Sequence, residues 1–503
     1  MNKFKQTFTR CVKSEGFSGA ALTAVLIAAV VLVNVIIYTL ASYFGWYFTS
    51  VAEDDLSISD VGDSLFAEAM AEGLTVEVIF CMYEKELENH DTGSFVLRTA
   101  KQFEEKYPDF IDLTYINIIT KLDSEGKPIE NIEVYENAAG EDAVMNKTSV
   151  IFRCGSNFRV LTDSYTGAGF ADFFTLDSSA TVSSYNGEEV FAAMVGWVLH
   201  KDHGKAYVTV GHGETASVTL YNALVCAGYF VEEYNLREGE VPEDGELIVI
   251  SNPKNDFERA AEGSKKKRSE IERLQSFAER GGSFLVFLDP EAAKLHNLES
   301  FILGYGISMT ENEEGERLTV KDTENAISPD GFTIVAEYSS SQYAALMQEK
   351  TAGVDGRVIL KRVAPLTLFG NAQAVLTSSS ASVAEAGGET VDRGGVYPIS
   401  AVSAITHDNG NTSELFLAPT VYFTATDAMI TEGYSNKDFL YSLFDVCFEK
   451  GDMPYGCNAV IFNDGILENL TMGTARWYTV LLLSFPAIVA IACVAVMIRR
   501  KNR

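Results

Sequence analysis

Residues 207–214 read YVTVGHGE, and residues 274–290 read LQSFAERGGSFLVFLDP. Each places a short β-branched or apolar run directly before a turn: Tyr207 to Val210 leads into Gly211-His212-Gly213-Glu214, and Phe284 to Leu288 leads into Asp289-Pro290. Between them, Phe230 to Tyr234 and Leu247 to Ser251 read as further strands. Helical spacing joins Val218, Tyr221 and Val225, then Ile271, Leu274 and Phe277, with Gly281-Gly282 placed as a helix stop. Buried strands separated by helices, with glycine and polar residues at strand ends, predict a doubly wound parallel sheet whose crevice lies at those ends.

Upstream, an apolar run at Leu74 to Met82 is followed by a helical face of Val96, Ala100, Phe103 and Tyr107. Runs then follow at Phe110 to Ile119, Ser149 to Arg153 and Phe158 to Thr162, before a helix around Val190 to Leu199. A β-α-β crossover, two strands and a closing helix is the order of a thioredoxin-like α/β layer. No Cys-x-x-Cys follows its first strand, so the reading is a packing unit rather than a redox enzyme.

Charge organises the rest. The 503 residues carry net charge -31, with 47% hydrophobic and 22% charged side chains, a composition that excludes disorder and gives nucleic acid no basic stripe to bind. No charged side chain falls between Glu15 and Glu53 or within Trp477 to Ile498, and both runs exceed the roughly 20 apolar residues a membrane span needs. Lys3, Lys5, Arg10 and Lys13 precede the first run, and Arg499, Arg500, Lys501 and Arg503 follow the second, so the positive-inside rule puts both termini in the cytoplasm. The first run is too long for a cleaved signal peptide and is expected to remain as an anchor in the cell membrane bilayer. The tips carry +3 and +4, which leaves -38 on the extracytoplasmic part.

The expected organisation is a basic tail (1–16), a transmembrane helix (17–46), a thioredoxin-like domain (47–204) and a larger α/β domain (205–455). A juxtamembrane segment (456–476), a second transmembrane helix (477–498) and a basic tail (499–503) complete it. Asn34 in the first span could hydrogen-bond to another transmembrane helix. The five exterior cysteines cannot all pair; Cys447 and Cys457, flanking a Gly/Pro turn, could form a bridge.

The blocks YVTVGHGE, AGYFVEEYNL (227–236), VPEDGELIVISNPKNDF (241–257) and LQSFAERGGSFLVFLDP resemble the GldG family of ABC-transporter auxiliary proteins. So do the two terminal spans, the RRKNR tail, and the later blocks RVILKRVAPLTL, AVLTSSSAS and GGVYPISAVS. The resemblance implies a non-catalytic accessory subunit working beside an ABC permease and its ATPase. It also implies a glutamine-amidotransferase-like fold for the larger exterior domain, without the cysteine nucleophile. Two departures stand out. Lys265 to Arg268 form a basic insertion, read as the solvated face of a helix starting near Ser264, and Ala418-Pro419-Thr420 replaces a more polar strand end, which puts a ligand role there in doubt.

Gly211, His212, Gly213, Glu214 and Asp289 are the candidate ligand-binding residues. They read either as a structural turn, with His212 bonded to Asp289 or a nearby carbonyl, or as recognition groups; a histidine beside two carboxylates could also serve acid-base chemistry. No Gly-x-Ser-x-Gly elbow is present and Cys226 falls inside a helix, so no catalytic residue is assigned. His212 with Glu214 and one more carboxylate is a weak metal pattern, and neither metal nor cofactor is expected. The chain has no Gly-x-x-x-x-Gly-Lys-[Ser/Thr] loop. A surface hydrolase or amidotransferase-like enzyme using the His212 rim, and a purely structural surface protein, stand as alternatives.

Overall fold

The computed structural model describes residues 56–462 except 130–131, 139–144, 163–169, 177–181, 201–202, 260–267, 393 and 452. Both expected spans, the basic tails and Asn34 lie outside the described residues. Among the described residues no helix is long and apolar enough to cross a membrane.

Asp55–Phe462 pack as one compact mixed α/β unit built on two main sheets. The first contains β1 (Val76–Phe80), β2 (Ile111–Asn117), β3 (Val150–Cys154) and β4 (Asn157–Leu161), with α1 (Gly93–Lys106) crossing between β1 and β2. β1 pairs parallel with β2 and antiparallel with β3, and β3 pairs antiparallel with β4. The helix α2 (Gly187–Leu199) closes the layer. Its Phe191 is fully buried, stacked 4.4 Å from Phe103 of α1 and set edge-on 5.2 Å from Phe152 of β3.

The second sheet begins with β5 (Lys205–Thr209), α3 (Val218–Cys226), β6 (Phe230–Tyr234) and β7 (Gly245–Ser251). It continues through α4 (Glu270–Glu279), β8 (Ser283–Phe287) and α5 (His296–Gly304). Chain from 305 to 372 then makes small antiparallel pairings and the helix α6 (Gln342–Lys350). It returns as β9 (Gln373–Thr377), β10 (Pro398–Thr406) and β11 (Thr412–Ala418), and α7 (Asn436–Phe448) follows. The order is β9-β10-β11-β8-β7-β5-β6, with the short piece Glu337–Tyr338 outside β9. The strands from β11 to β6 are mutually parallel, whereas β9, β10 and β11 pair antiparallel. The sheet is therefore mixed: parallel in the half that the local pattern predicts, antiparallel beyond it.

Leu247 to Ile250 and Phe284 to Phe287 are buried without alternation, as central parallel strands covered on both faces must be. One face packs on Leu274 and Phe277 of α4 and Leu298 and Phe301 of α5. Gly281, with φ +94°, lets the chain leave α4 in the left-handed region and enter β8.

Two local expectations change. The helix expected near Ser264 starts at Glu270, because Ser269 caps it in a reciprocal capping box with Glu272; Lys265 to Lys267 lie outside the described residues. Residues 456–462 belong to the fold rather than to a separate juxtamembrane segment: Cys457 is buried and Val460–Ile461 pair antiparallel with Val182–Tyr185. Cys447 and Cys457 are buried free thiols, not a disulfide.

Candidate functional site

The chain runs from β5 out to the edge strand β6 and returns on the other side of β5 as β7. The carboxyl ends of β5 and β7 therefore flank the topological switch point, where open α/β sheets place their ligand crevices. Gly211 to Glu214 leave β5 there, and Asn252 to Asn255 leave β7.

The turn is built around glycine. Gly211 and Gly213 have φ of +112° and +76°. A Cβ on Gly211 would stand 3.0 Å from Asn235 Oδ1, and one on Gly213 3.3 Å from Lys254 Cβ. The His212 carbonyl accepts the N–H groups of Lys254 and Asn255, both at 2.9 Å, which fastens the turn to the loop after β7.

Held this way, the His212 side chain points inward and is wholly buried. Its ring stacks on Phe257, centroids 4.0 Å apart. Nδ1 lies 3.0 Å from Glu214 Oε1, and Nε2 lies 3.0 and 3.1 Å from the two oxygens of Glu270. Carboxylates only accept hydrogen bonds, so an imidazole facing one at each nitrogen must donate from both and carries a positive charge. Burial is the largest single influence and works against that charge. Glu214 and Glu270 together outweigh it and hold His212 above the usual histidine range. Burial would likewise raise Glu214, but bonds from the His212 ring and from backbone N–H groups, including that of His212 at 2.6 Å, hold it below the usual carboxylate range.

Glu270 is the residue that the reading of the chain missed. It is the first residue of α4, where the helix dipole favours a carboxylate. It also accepts the Glu258 N–H at 2.6 Å and stands 3.3 Å from Arg237 Nε, so two carboxylates and two cations close a nearly neutral cluster. The Ser269-x-x-Glu272 pattern was the signal that could have placed Glu270 at the helix start.

Asp289 does not meet His212. Its Oδ1 accepts the Glu291 N–H at 3.0 Å and its Oδ2 lies 3.2 Å from Lys254 Nζ, which also donates to Asn252 Oδ1 at 2.7 Å. Asn252, Lys254 and Asp289 thus form a linked polar rim, apart from the buried histidine. The nearby hydroxyls are committed to the backbone: Ser251 donates to the Thr215 carbonyl at 3.0 Å, and Ser217 caps α3 and donates to the Thr424 carbonyl. At the end of β11, Thr420 is buried and donates to the Lys361 carbonyl at 2.6 Å. Among the described residues, no group of three or more His, Cys, Asp or Glu side chains is arranged to hold a metal ion.

No family model and no curated protein matches the chain. Among solved structures it is similar to the mmIFT52 N-terminal domain, at 15% identity and TM-score 0.36 over 48% of this chain and 96% of that one. A ThuA-like protein from Bacteroides uniformis matches at 11% identity and TM-score 0.31, over 49% and 93% of the two chains. PurLQS from Thermotoga maritima matches at 15% identity and TM-score 0.29, over 48% and 98%.

Proposed function

We propose that this chain is a non-catalytic auxiliary subunit of an ABC transport system, anchored in the cell membrane by 17–46 and 477–498, with an extracytoplasmic unit that binds a partner or ligand. In this reading the first layer is thioredoxin-like and the second sheet is of the glutamine-amidotransferase type, adapted to binding. The observation that carries the proposal is the state of the switch point. Where an α/β enzyme would keep a reactive side chain, His212 has both nitrogens bonded to carboxylates and one face covered by Phe257. A general base needs a free lone pair within reach of substrate, and this ring offers none. What faces outward is the rim of Asn252, Lys254 and Asp289, suited to recognition.

The path of the chain fits a unit suspended from two spans. Leu56 to Ile58, at the entry, and Asn458 with Val460, at the exit, line one small cleft, so both ends of the compact unit leave from the same patch. Extraction of the full chain in mild detergent, affinity capture and mass spectrometry test the proposal. Co-recovery of a multi-span permease and a P-loop ATPase is expected; recovery of the chain alone under every gentle condition overturns it.

A further inference from the structure

Beyond β9 the second sheet ends in the short piece Glu337–Tyr338, and a cleft of about 480 Å³ lies along this edge. Glu337 and Tyr338 form one wall and Gly356 and Arg357 the other, with Gln348 and Thr351 from the end of α6 also lining it. Two ladders separate here. Thr333–Val335 pairs antiparallel with Ile359–Lys361, and the last rung is the bond from the Ala336 N–H to the Val358 carbonyl at 2.9 Å. The chain then turns to β9: Glu337 and Tyr338 pair antiparallel with Thr377 and Leu376, and the Ser339 N–H donates to the Val375 carbonyl at 2.9 Å.

Opposed residues of an antiparallel ladder alternate between bonded and non-bonded pairs. Ser339 belongs to a bonded pair, so Tyr338 does not, and the Leu376 N–H opposite it turns away to Ser400 Oγ at 3.1 Å. Tyr338 therefore directs its N–H and C=O away from β9, to the side on which Ala336 meets Val358. The next residue in that register is Gly356. No main-chain bond joins the two, and Gly356 makes none among the described residues. Arg357 faces the other way, its N–H and C=O bonded at 3.0 Å to Gly433 and Ser435. The cleft is thus a break in a sheet, with an open main-chain donor and acceptor on each wall; Gly356 is exposed and Tyr338 half-buried. The Tyr338 wall is held in place by its hydroxyl, 3.1 Å from Thr351 Oγ1, and by its ring, 5.9 Å from that of Phe439. An edge in this state is a template for an added strand. The charges narrow the choice. Glu337 and Arg357 are exposed on opposite walls, and neither side chain has an ion-pair partner among the described residues.

We propose that this cleft binds an extended segment of a partner protein, which pairs with Tyr338 on one side and Gly356 on the other. The segment carries an acidic side chain toward Arg357 and a basic one toward Glu337. The site is independent of the accessory-subunit reading and holds whatever the partner's own activity.

Fluorescence polarisation of the full chain in mild detergent tests it. The probes are labelled peptides of about six residues, the length of an ordinary strand, β-branched at alternate positions and carrying an acidic and a basic side chain. Saturable binding is expected, weaker by about tenfold or more when the central peptide nitrogens are methylated and can no longer donate. Gln348→Trp, at an exposed helix position, fills the cleft and is expected to abolish binding while leaving the unfolding temperature unchanged. Arg357→Glu is expected to weaken binding by about tenfold and to regain it with a peptide whose acidic residue is made basic. Hydrogen exchange at the Tyr338 amide, fast in the free chain, is expected to slow by about tenfold or more with peptide bound. No saturable binding, binding that survives methylation or folded Gln348→Trp, or an unchanged Tyr338 amide overturns the proposal. So does a concentration-dependent dimer that Gln348→Trp abolishes, since the occupant is then a second copy of this chain.

Discussion

Replacing Glu270 by glutamine tests whether a buried imidazolium fixes the Gly211–Glu214 turn. Glu270 meets His212 Nε2 with both oxygens, at 3.0 and 3.1 Å, takes the Glu258 N–H at 2.6 Å and faces Arg237 Nε at 3.3 Å. Glutamine has one oxygen for these donors, and its amide N–H would be set against another donor. Removing one partner of a buried pair costs about 3–5 kcal/mol. The remaining oxygen, and Glu214 on the other side of the ring, reduce this to about 2–3 kcal/mol. The pH dependence has a defined sign. His212 is raised above its unfolded value of 6.5, so its contribution is complete below that pH and is lost as pH rises through the higher folded value. Glu270→Gln lowers that folded value, so the destabilisation is largest near pH 6 and shrinks toward pH 9. Denaturant unfolding of the full chain in mild detergent, at constant ionic strength across this range, measures it. A loss below about 0.5 kcal/mol near pH 6, the level of an ordinary surface change, refutes the reasoning. So does a loss that is equal at every pH.

Three further outcomes are expected. Ser269→Ala removes the cap of α4 and lowers stability by about 1 kcal/mol, read by the same unfolding assay. Lys437→Met strands Glu189, which now receives Lys437 Nζ at 2.9 Å and the Tyr441 hydroxyl, and costs about 3–5 kcal/mol; pairing it with Glu189→Gln recovers part of that loss in a double-mutant cycle. Burial pushes Glu414 up to about 7, so the native state holds its proton more tightly than the unfolded chain and stability falls as pH rises from 4.5 through 7. Glu414→Gln, read by thermal unfolding at pH 5 and pH 8, is expected to flatten that fall.

The parallel half of the second sheet was legible because each central strand is a continuous apolar run punctuated by residues with a specific backbone role, such as Gly211 and Gly281 at positive φ. The antiparallel half was less legible. β10 and β11 form a hairpin whose Asn409-Gly410 turn, with Gly410 at φ +87°, is a recognisable signal, but β11 then inserts beside β8, more than 120 residues away. No local period encodes that pairing. The site divided in the same way. Gly211 to Glu214 stood out as a strand-end turn, whereas the second carboxylate came from Glu270, 58 residues on. Starting the helix near Ser264 rather than at its Ser269 cap hid the place of Glu270 in the first turn, where it meets the buried ring.

The two ends of the second sheet have opposite electrostatic designs. At the carboxyl end, positive charge sits on His212 and is neutralised inside the protein by Glu214 and Glu270, which leaves Asn252, Lys254 and Asp289 as the polar groups that face outward. At the amino end, three helix carboxyl termini, those of α2, α3 and α7, add negative potential, offset by Lys450, which pairs with Glu246, and by Arg159 over Trp197 and Phe230. The two layers join through the first turns of α2 and α7. Glu189 of α2 and Lys437 of α7 form a buried pair beside Cys226, and Glu189 is the main opposing charge that, against the larger effect of burial, holds Lys437 above the usual lysine range. Holding the two layers together thus falls in part to a buried ion pair, which is why Lys437→Met is expected to cost more than loss of the α4 cap.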